Sequence, residues 1–190
     1  SAAVGILGLG YPEEFGGISE GIDGWYSIIL NEEMARIAVG GVSATLLVHG
    51  IGLPPVIKFG SEEIKQMVAP PVLAGTKRIS LAITEPGAGS DVAHLTTTAR
   101  LDGDHYVVNG SKTYITGGMN ANWFTTAVRT GGEGSAGVST LLIPADAEGV
   151  LRTALDKKQG WWCSDTATIY FDNVRVPVGN LIGQENRGFS

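Results

Sequence analysis

Apolar residues recur at helical spacing in the first part of the chain. Between Trp25 and Val39 they fall at Ile28, Ile29, Met34, Ile37 and Ala38, with Glu32, Glu33 and Arg36 on other faces. The pattern predicts an amphipathic helix that Gly40-Gly41 ends, because glycine accepts the left-handed backbone of a helix stop. Ser43 reads as the N-cap of a second helix through Leu46 and Leu47, with Pro54-Pro55 kinking or restarting it near Leu53. A third helix is expected from Ser61, where Ser61-Glu62-Glu63-Ile64 comes close to a capping box, to Pro70-Pro71.

After Gly75 the pattern shortens. Arg78 to Ile83 is an apolar run that ends in the turn-forming Thr84-Glu85-Pro86-Gly87. Ala99 to Leu101 and His105 to Val108 flank Asp102-Gly103-Asp104, a strong local hairpin signal. Tyr114 to Thr116, Phe124 to Arg129, Ser139 to Ile143 and Thr166 to Phe171 follow as strands between glycine-rich turns. About seven short strands without intervening helices predict an antiparallel barrel or sandwich. The fold expected is therefore α+β and multidomain: a helical segment, then a β domain, with the change near residues 75–79.

Composition narrows the function. The chain has 190 residues and a formal net charge of -6, so it lacks the electrostatic footprint of a nucleic-acid binder. The single cysteine, Cys163, rules out an internal disulfide framework and fits a reducing compartment. No run of about 18 apolar residues is visible, so no transmembrane helix is expected. Ser1-Ala2-Ala3 shows no signal-peptide pattern. His49, His94 and His105 stand far apart, and with one cysteine they assemble no zinc pattern.

Phosphate-binding motifs fail on inspection. Gly8-Leu9-Gly10 has Glu13 in place of a third glycine, Gly87-Ala88-Gly89 has Val92 there, and Gly110-Ser111-Lys112-Thr113 has the wrong order for a P-loop. No Gly-x-Ser-x-Gly elbow supports a hydrolase. Two other segments hold chemistry. In Leu81 to Asp91, Thr84 and Ser90 bracket a glycine turn whose N–H groups can serve an electron-rich ring or a phosphate; an ordinary surface turn is the plain alternative. Farther on, alternation puts Tyr114 and Thr116 on one strand face, where a ring and a hydroxyl can flank a flat cofactor, or simply anchor a half-buried strand. Trp161-Trp162, if on a strand, would face opposite ways and expose one ring to solvent, a ligand or a partner. The acidic pairs Glu13-Glu14, Glu32-Glu33 and Glu62-Glu63 read as solvated faces.

Taken in order, several stretches resemble the flavin-dependent acyl-CoA dehydrogenases. Tyr11-Pro12-Glu13-Glu14-Phe15-Gly16-Gly17 is similar to an early loop of that family. Ile83-Thr84-Glu85-Pro86-Gly87-Ala88-Gly89-Ser90-Asp91-Val92 resembles its flavin loop, and Val108 to Thr116 the strand that follows. Lys158 to Ala167, Phe171 to Pro177, Asn180 to Gly183 and Asn186 to Phe189 continue the match. A tryptophan at 162, where many members carry arginine, is similar to the long-chain branch.

The resemblance implies a helical domain over residues 1–77, incomplete at its start, a middle β domain over 78–180, and over 181–190 the start of a linker to a C-terminal helical domain that this sequence lacks. It implies FAD as cofactor and α,β-dehydrogenation of an acyl-CoA thioester, the β-hydrogen leaving as hydride to the flavin. Leu81, Ile83, Thr84, Gly89, Ser90, Tyr114 and Thr116 match cofactor-binding positions, and Ser90 also lies beside acyl-CoA. Tyr114 aligns with an aromatic that is often tryptophan. No catalytic base is assigned to this chain, and neither Glu85 nor Glu185 takes that role. An electron transfer flavoprotein as acceptor, a homo-oligomer (a tetramer) and a cytoplasmic or, in a eukaryote, mitochondrial matrix location are family expectations. A flavin oxidase or monooxygenase relative, and a non-catalytic binding or assembly subunit, are the alternatives.

Overall fold

The computed structural model describes residues 5–189. The Ser1-Ala2-Ala3 reading and the outermost ends of the expected domains lie outside these residues. Four helices precede the strands: α1 (Gly24–Arg36), α2 (Gly40–Leu47), α3 (His49–Phe59) and α4 (Glu62–Leu73). The strands are β1 (Ile79–Ala82), β2 (Thr98–Asp102), β3 (His105–Thr116), β4 (Trp123–Arg129), β5 (Val138–Pro144), β6 (Val150–Ala154), β7 (Thr166–Pro177) and β8 (Leu181–Ile182).

Helix boundaries differ from the sequence reading in instructive ways. Asp23 caps α1 by accepting from the Trp25 N–H at 2.9 Å, but the helix ends at Arg36, and Ala38 takes a left-handed φ of 56°. Gly40-Gly41 is not its stop; the pair forms the first turn of α2. Their missing side chains make room for a neighbour, since a Cβ on Gly40 would lie 2.8 Å from Trp161 Nε1 and one on Gly41 2.6 Å from Cys163 Sγ. Ser43 lies inside α2 and its hydroxyl donates to the Met34 carbonyl, so it is not an N-cap.

The proline pairs do not break their helices. Pro54 and Pro55 lie within α3, and the interruption comes earlier, at Val48. The carbonyls they deprive belong to Gly50 and Ile51, both exposed, where water can replace the missing N–H. Pro70 and Pro71 lie within α4, which runs to Leu73; the Pro71 carbonyl instead accepts from the N–H groups of Thr76 and Lys77. The Ser61 cap is present, its hydroxyl accepting from Ile64 N–H at 3.3 Å. Together α2 and α3 span 20 residues, Gly40–Phe59, long and apolar enough to cross a membrane by length and composition alone. Leu53 and Val56 on α3, however, are fully buried against α4 and the sheet.

The strands form one sheet in the order β6-β7-β3-β2-β4-β5-β8, with β1 also beside β4. It is mostly antiparallel, but β1 and β2 both run parallel to β4. They share one side of β4: Ile79 to Ala82 pair with Trp123 to Thr126, and Thr98 pairs with Arg129. The intervening segment is thus an excursion from a single lane of the sheet. The hairpin of β2 and β3 forms as read, Gly103 supplying φ +63° and Asp102 facing His105. Strand β6 had no sequence signal because four of its five residues are exposed.

Two cores result. One lies among the strands and includes Val108, Phe124, Leu141 and Ile169; the other joins Leu53, Val56, Ile64 and Val68 of the helices to Ile79 and Leu142. Each such large side chain contributes about 1.5–3 kcal/mol by leaving water. Helix α1 takes little part: Met34 is buried, whereas Trp25, Ile28 and Ile29 are exposed. Trp161 and Trp162 lie in a turn, not on a strand, so both are exposed, with Trp161 at φ +55°.

Candidate functional site

The excursion between β1 and β2 carries the sequence Ile83 to Thr97. Its tip is a tight turn in which Glu85 and Ala88 exchange backbone hydrogen bonds, Glu85 N–H to Ala88 O at 2.9 Å and Ala88 N–H to Glu85 O at 3.2 Å. Pro86 and Gly87 occupy the corners, and nothing lies within 4 Å of where a Cβ on Gly87 or Gly89 would be. Gly89 and Ser90 are exposed.

What holds this loop is the Glu85 side chain, which is buried. One carboxylate oxygen accepts from Thr96 N–H at 2.6 Å and Thr96 Oγ1 at 2.7 Å; the other accepts from Thr97 N–H at 2.9 Å and Lys112 Nζ at 2.7 Å. One carboxylate therefore ties the start of the loop to its end. Arg129 secures the return limb by donating to the carbonyls of Ala93 (2.6 Å) and Leu95 (2.9 Å).

Lys112 brings in the second segment. It lies on β3 with its side chain wholly buried, and its ammonium donates to the Ile83 carbonyl at 3.0 Å as well as to Glu85. The adjacent Thr113 N–H donates to the Thr84 carbonyl at 2.8 Å. Residues 83–85 and 112–113 are thereby fastened together. Sequence reading passed over this pair; the available signal was a lysine amid a strand pattern, three residues before the inward Ile115.

Tyr114 does not follow simple alternation. The register against β7 slips between Lys112 and Ile115, and Tyr114 is the extra residue, at φ +58° and 65% exposed. A bulge turns its side chain independently of the strand's two-residue period, so sharing a face with Thr116 is not given by spacing. Thr116 is half-buried and pairs with Thr166.

Burial opposes the charge on Glu85, yet the hydrogen bond from Lys112, those from Thr97 and Thr96, and the attraction of Lys112 together hold its carboxyl at about 2. Lys112 is drawn down by burial and held up by Glu85. A carboxylate with four donors and that acidity takes no proton at neutral pH, so Glu85 is not a general base. Glu185 is exposed in the segment after β8.

A cavity of about 680 Å³ lies beside this site, and Leu81 and Ile83 line it together with Phe59, Thr125 and Ile182. Thr84, Tyr114 and Thr116 are not among its lining residues, so the cavity and the loop–strand junction are adjoining features. Among the described residues neither the Thr84 nor the Thr116 hydroxyl has a protein hydrogen-bond partner, whereas those of Thr96, Thr97 and Thr113 do. Half-buried free hydroxyls, open space over two glycines and an apolar wall fit the polar edge and flat faces of a flavin.

Comparison with known proteins bears on the same residues. Residues 1–76 match the family described as acyl-CoA dehydrogenase, N-terminal domain, and residues 80–174 match acyl-CoA dehydrogenase, middle domain. The acyl-CoA dehydrogenase apdG of Emericella nidulans is 44% identical over 184 residues, covering 95% of this chain and 42% of that protein. The crystal structure of a probable acyl-CoA dehydrogenase from Mycobacterium abscessus superposes with a TM-score of 0.94 at 49% identity, covering 99% of this chain and 50% of that one. An acyl-CoA dehydrogenase complexed with FAD from Bacillus anthracis gives a TM-score of 0.90 at 38% identity, over 98% of this chain and 32% of that one. The chain spans less than half the length of the curated relatives it matches. It belongs to the acyl-CoA dehydrogenase family.

Proposed function

We propose that the protein carrying this chain is an FAD-dependent dehydrogenase that converts an acyl-CoA thioester to its 2-enoyl form. The observation that carries this reading is the junction of the Ile83 to Ser90 loop with the end of β3, fastened by Lys112 and Thr113. When bound, FAD supplies the hydride-accepting chemistry. Thr84, Thr116 and Tyr114 would hold the ring through their hydroxyls and an aromatic side chain, and Leu81 and Ile83 would supply an apolar wall that excludes water. Gly89 lets the backbone approach closely, and Ser90, exposed beside it, serves cofactor and acyl-CoA together.

Proton removal is not assigned to this chain: Glu85 is committed to its four donors, and the base belongs to the part of the protein beyond these residues. The division into 1–77, 78–180 and 181–190, an electron transfer flavoprotein as electron acceptor and assembly into a homo-oligomer are parts of the same proposal. Titration of the apoprotein with FAD, followed by flavin fluorescence, tests the site. Thr116→Val is expected to weaken binding by about 0.5–1.5 kcal/mol, the net value of one hydrogen bond. Unchanged affinity and an unchanged flavin spectrum would remove Thr116 from the site.

A further inference from the structure

We infer that Lys112 is a positioning residue that sets both halves of the flavin site, a role distinct from packing. This rests on the flavin reading of the two segments. The Lys112 side chain is wholly buried, so it acts through the groups it holds. Its ammonium grips the Ile83 carbonyl and the Glu85 carboxylate, the residues on either side of Thr84, at 3.0 and 2.7 Å. The next residue, Thr113, takes the Thr84 carbonyl itself at 2.8 Å. Three consecutive residues of the loop are therefore fixed to two consecutive residues of β3, and the Thr84 hydroxyl is left as the group free to meet a ligand.

The same lysine stands at the edge of the bulge that presents Tyr114. Lys112 pairs with Ile169 and Ile115 with Ala167, so the two inward residues bracket the irregular turn. With the Lys112 side chain wholly enclosed and Ile115 buried, Thr113 and Tyr114 must absorb the extra residue between them. Loop and bulge thus share one anchor. An apolar residue of similar length fills the space but holds neither carbonyl nor carboxylate, which separates positioning from packing. Glu85 completes the clamp by closing the loop at Thr96 and Thr97, so displacement of Lys112 is transmitted to Ala88, Gly89 and Ser90 through the base of their turn.

The test compares Lys112→Met and Lys112→Gln with the parent in the full natural protein, freed of cofactor, by FAD titration and by site-resolved amide hydrogen exchange. Lys112→Met is expected to lower FAD affinity about tenfold or more, and to speed exchange at Glu85, Ala88 and Thr113 by at least about tenfold relative to the β4 amides Phe124 to Val128. Lys112→Gln, which keeps two N–H donors, is expected to recover much of both and carries the test if the Met variant does not fold. The inference is overturned if site amides accelerate no more than those of β4, or if FAD affinity in both variants stays within about twofold of the parent. A parent that binds no FAD would defeat the flavin reading instead, and the exchange pattern would still decide whether Lys112 positions the two segments.

Discussion

Replacing Glu85 with glutamine removes one charge and exchanges one acceptor oxygen for an NH2 group. Four donors converge on the native carboxylate: Thr96 N–H and hydroxyl on one oxygen, Thr97 N–H and the Lys112 ammonium on the other. Whichever way the amide is turned, its nitrogen faces a backbone N–H, that of Thr96 or of Thr97, so at least one hydrogen bond is lost and that donor is left without its acceptor. The Lys112 ammonium, wholly enclosed, also loses its counter-charge. Breaking a buried pair from one side costs about 3–5 kcal/mol. For a chain of this size that lowers the melting temperature by roughly 10 °C. The pH dependence gives an independent handle. The Glu85 carboxyl falls from its ordinary 4.5 when unfolded to about 2 when folded. That depression makes part of the clamp's stabilisation depend on pH. The stabilisation is fully present above pH 4.5 and is lost as pH falls toward 2. Urea denaturation of parent and Glu85→Gln between pH 7 and 3 should show a gap that is constant near neutrality and narrows below pH 4.5. A neutral-pH difference under about 1 kcal/mol, or a gap that does not change on acidification, would refute the clamp.

Two further substitutions separate strained from neutral positions. Gly110 has φ +144°, and a Cβ there would lie 2.6 Å from Thr97 Oγ1 and 2.7 Å from Thr97 Cα. Gly110→Ala should therefore cost at least about 1–3 kcal/mol in denaturant unfolding, since backbone strain and overlap add. Trp162 is 80% exposed. Trp162→Ser should leave unfolding within about 0.5 kcal/mol of the parent while reducing self-association in sedimentation experiments.

Features governed by nearest neighbours were legible in the sequence. Ser61 caps α4 through a bond three residues away, and Gly103 turns the β2–β3 hairpin through its own φ. Gly40-Gly41 misled because its reason is remote: room for Trp161 and Cys163, more than 100 positions along the chain. The proline pairs misled because local rules treat a missing N–H as a break, whereas exposed carbonyls one turn back leave the helix intact. Parallel pairing of β1 and β2 with β4 depends on a crossover, which leaves no local signal. In the candidate site, the segments around Thr84 and Thr116 stand out in the sequence, but what fastens them together does not. Glu85 and Lys112 are 27 positions apart and look like surface charges until the fold buries them together. Likewise, the bulge at Tyr114 is set by register against β7, which no one strand encodes.

The central claim, flavin-dependent dehydrogenation of an acyl-CoA thioester, is tested most directly by anaerobic titration of the full natural protein, loaded with FAD, with thioesters of graded acyl length. Flavin absorbance and the product are followed together. Bleaching of the oxidised flavin with formation of the matching 2-enoyl thioester, and a preferred chain length, are the expected results. Bound FAD that no thioester in the series reduces would contradict the claim.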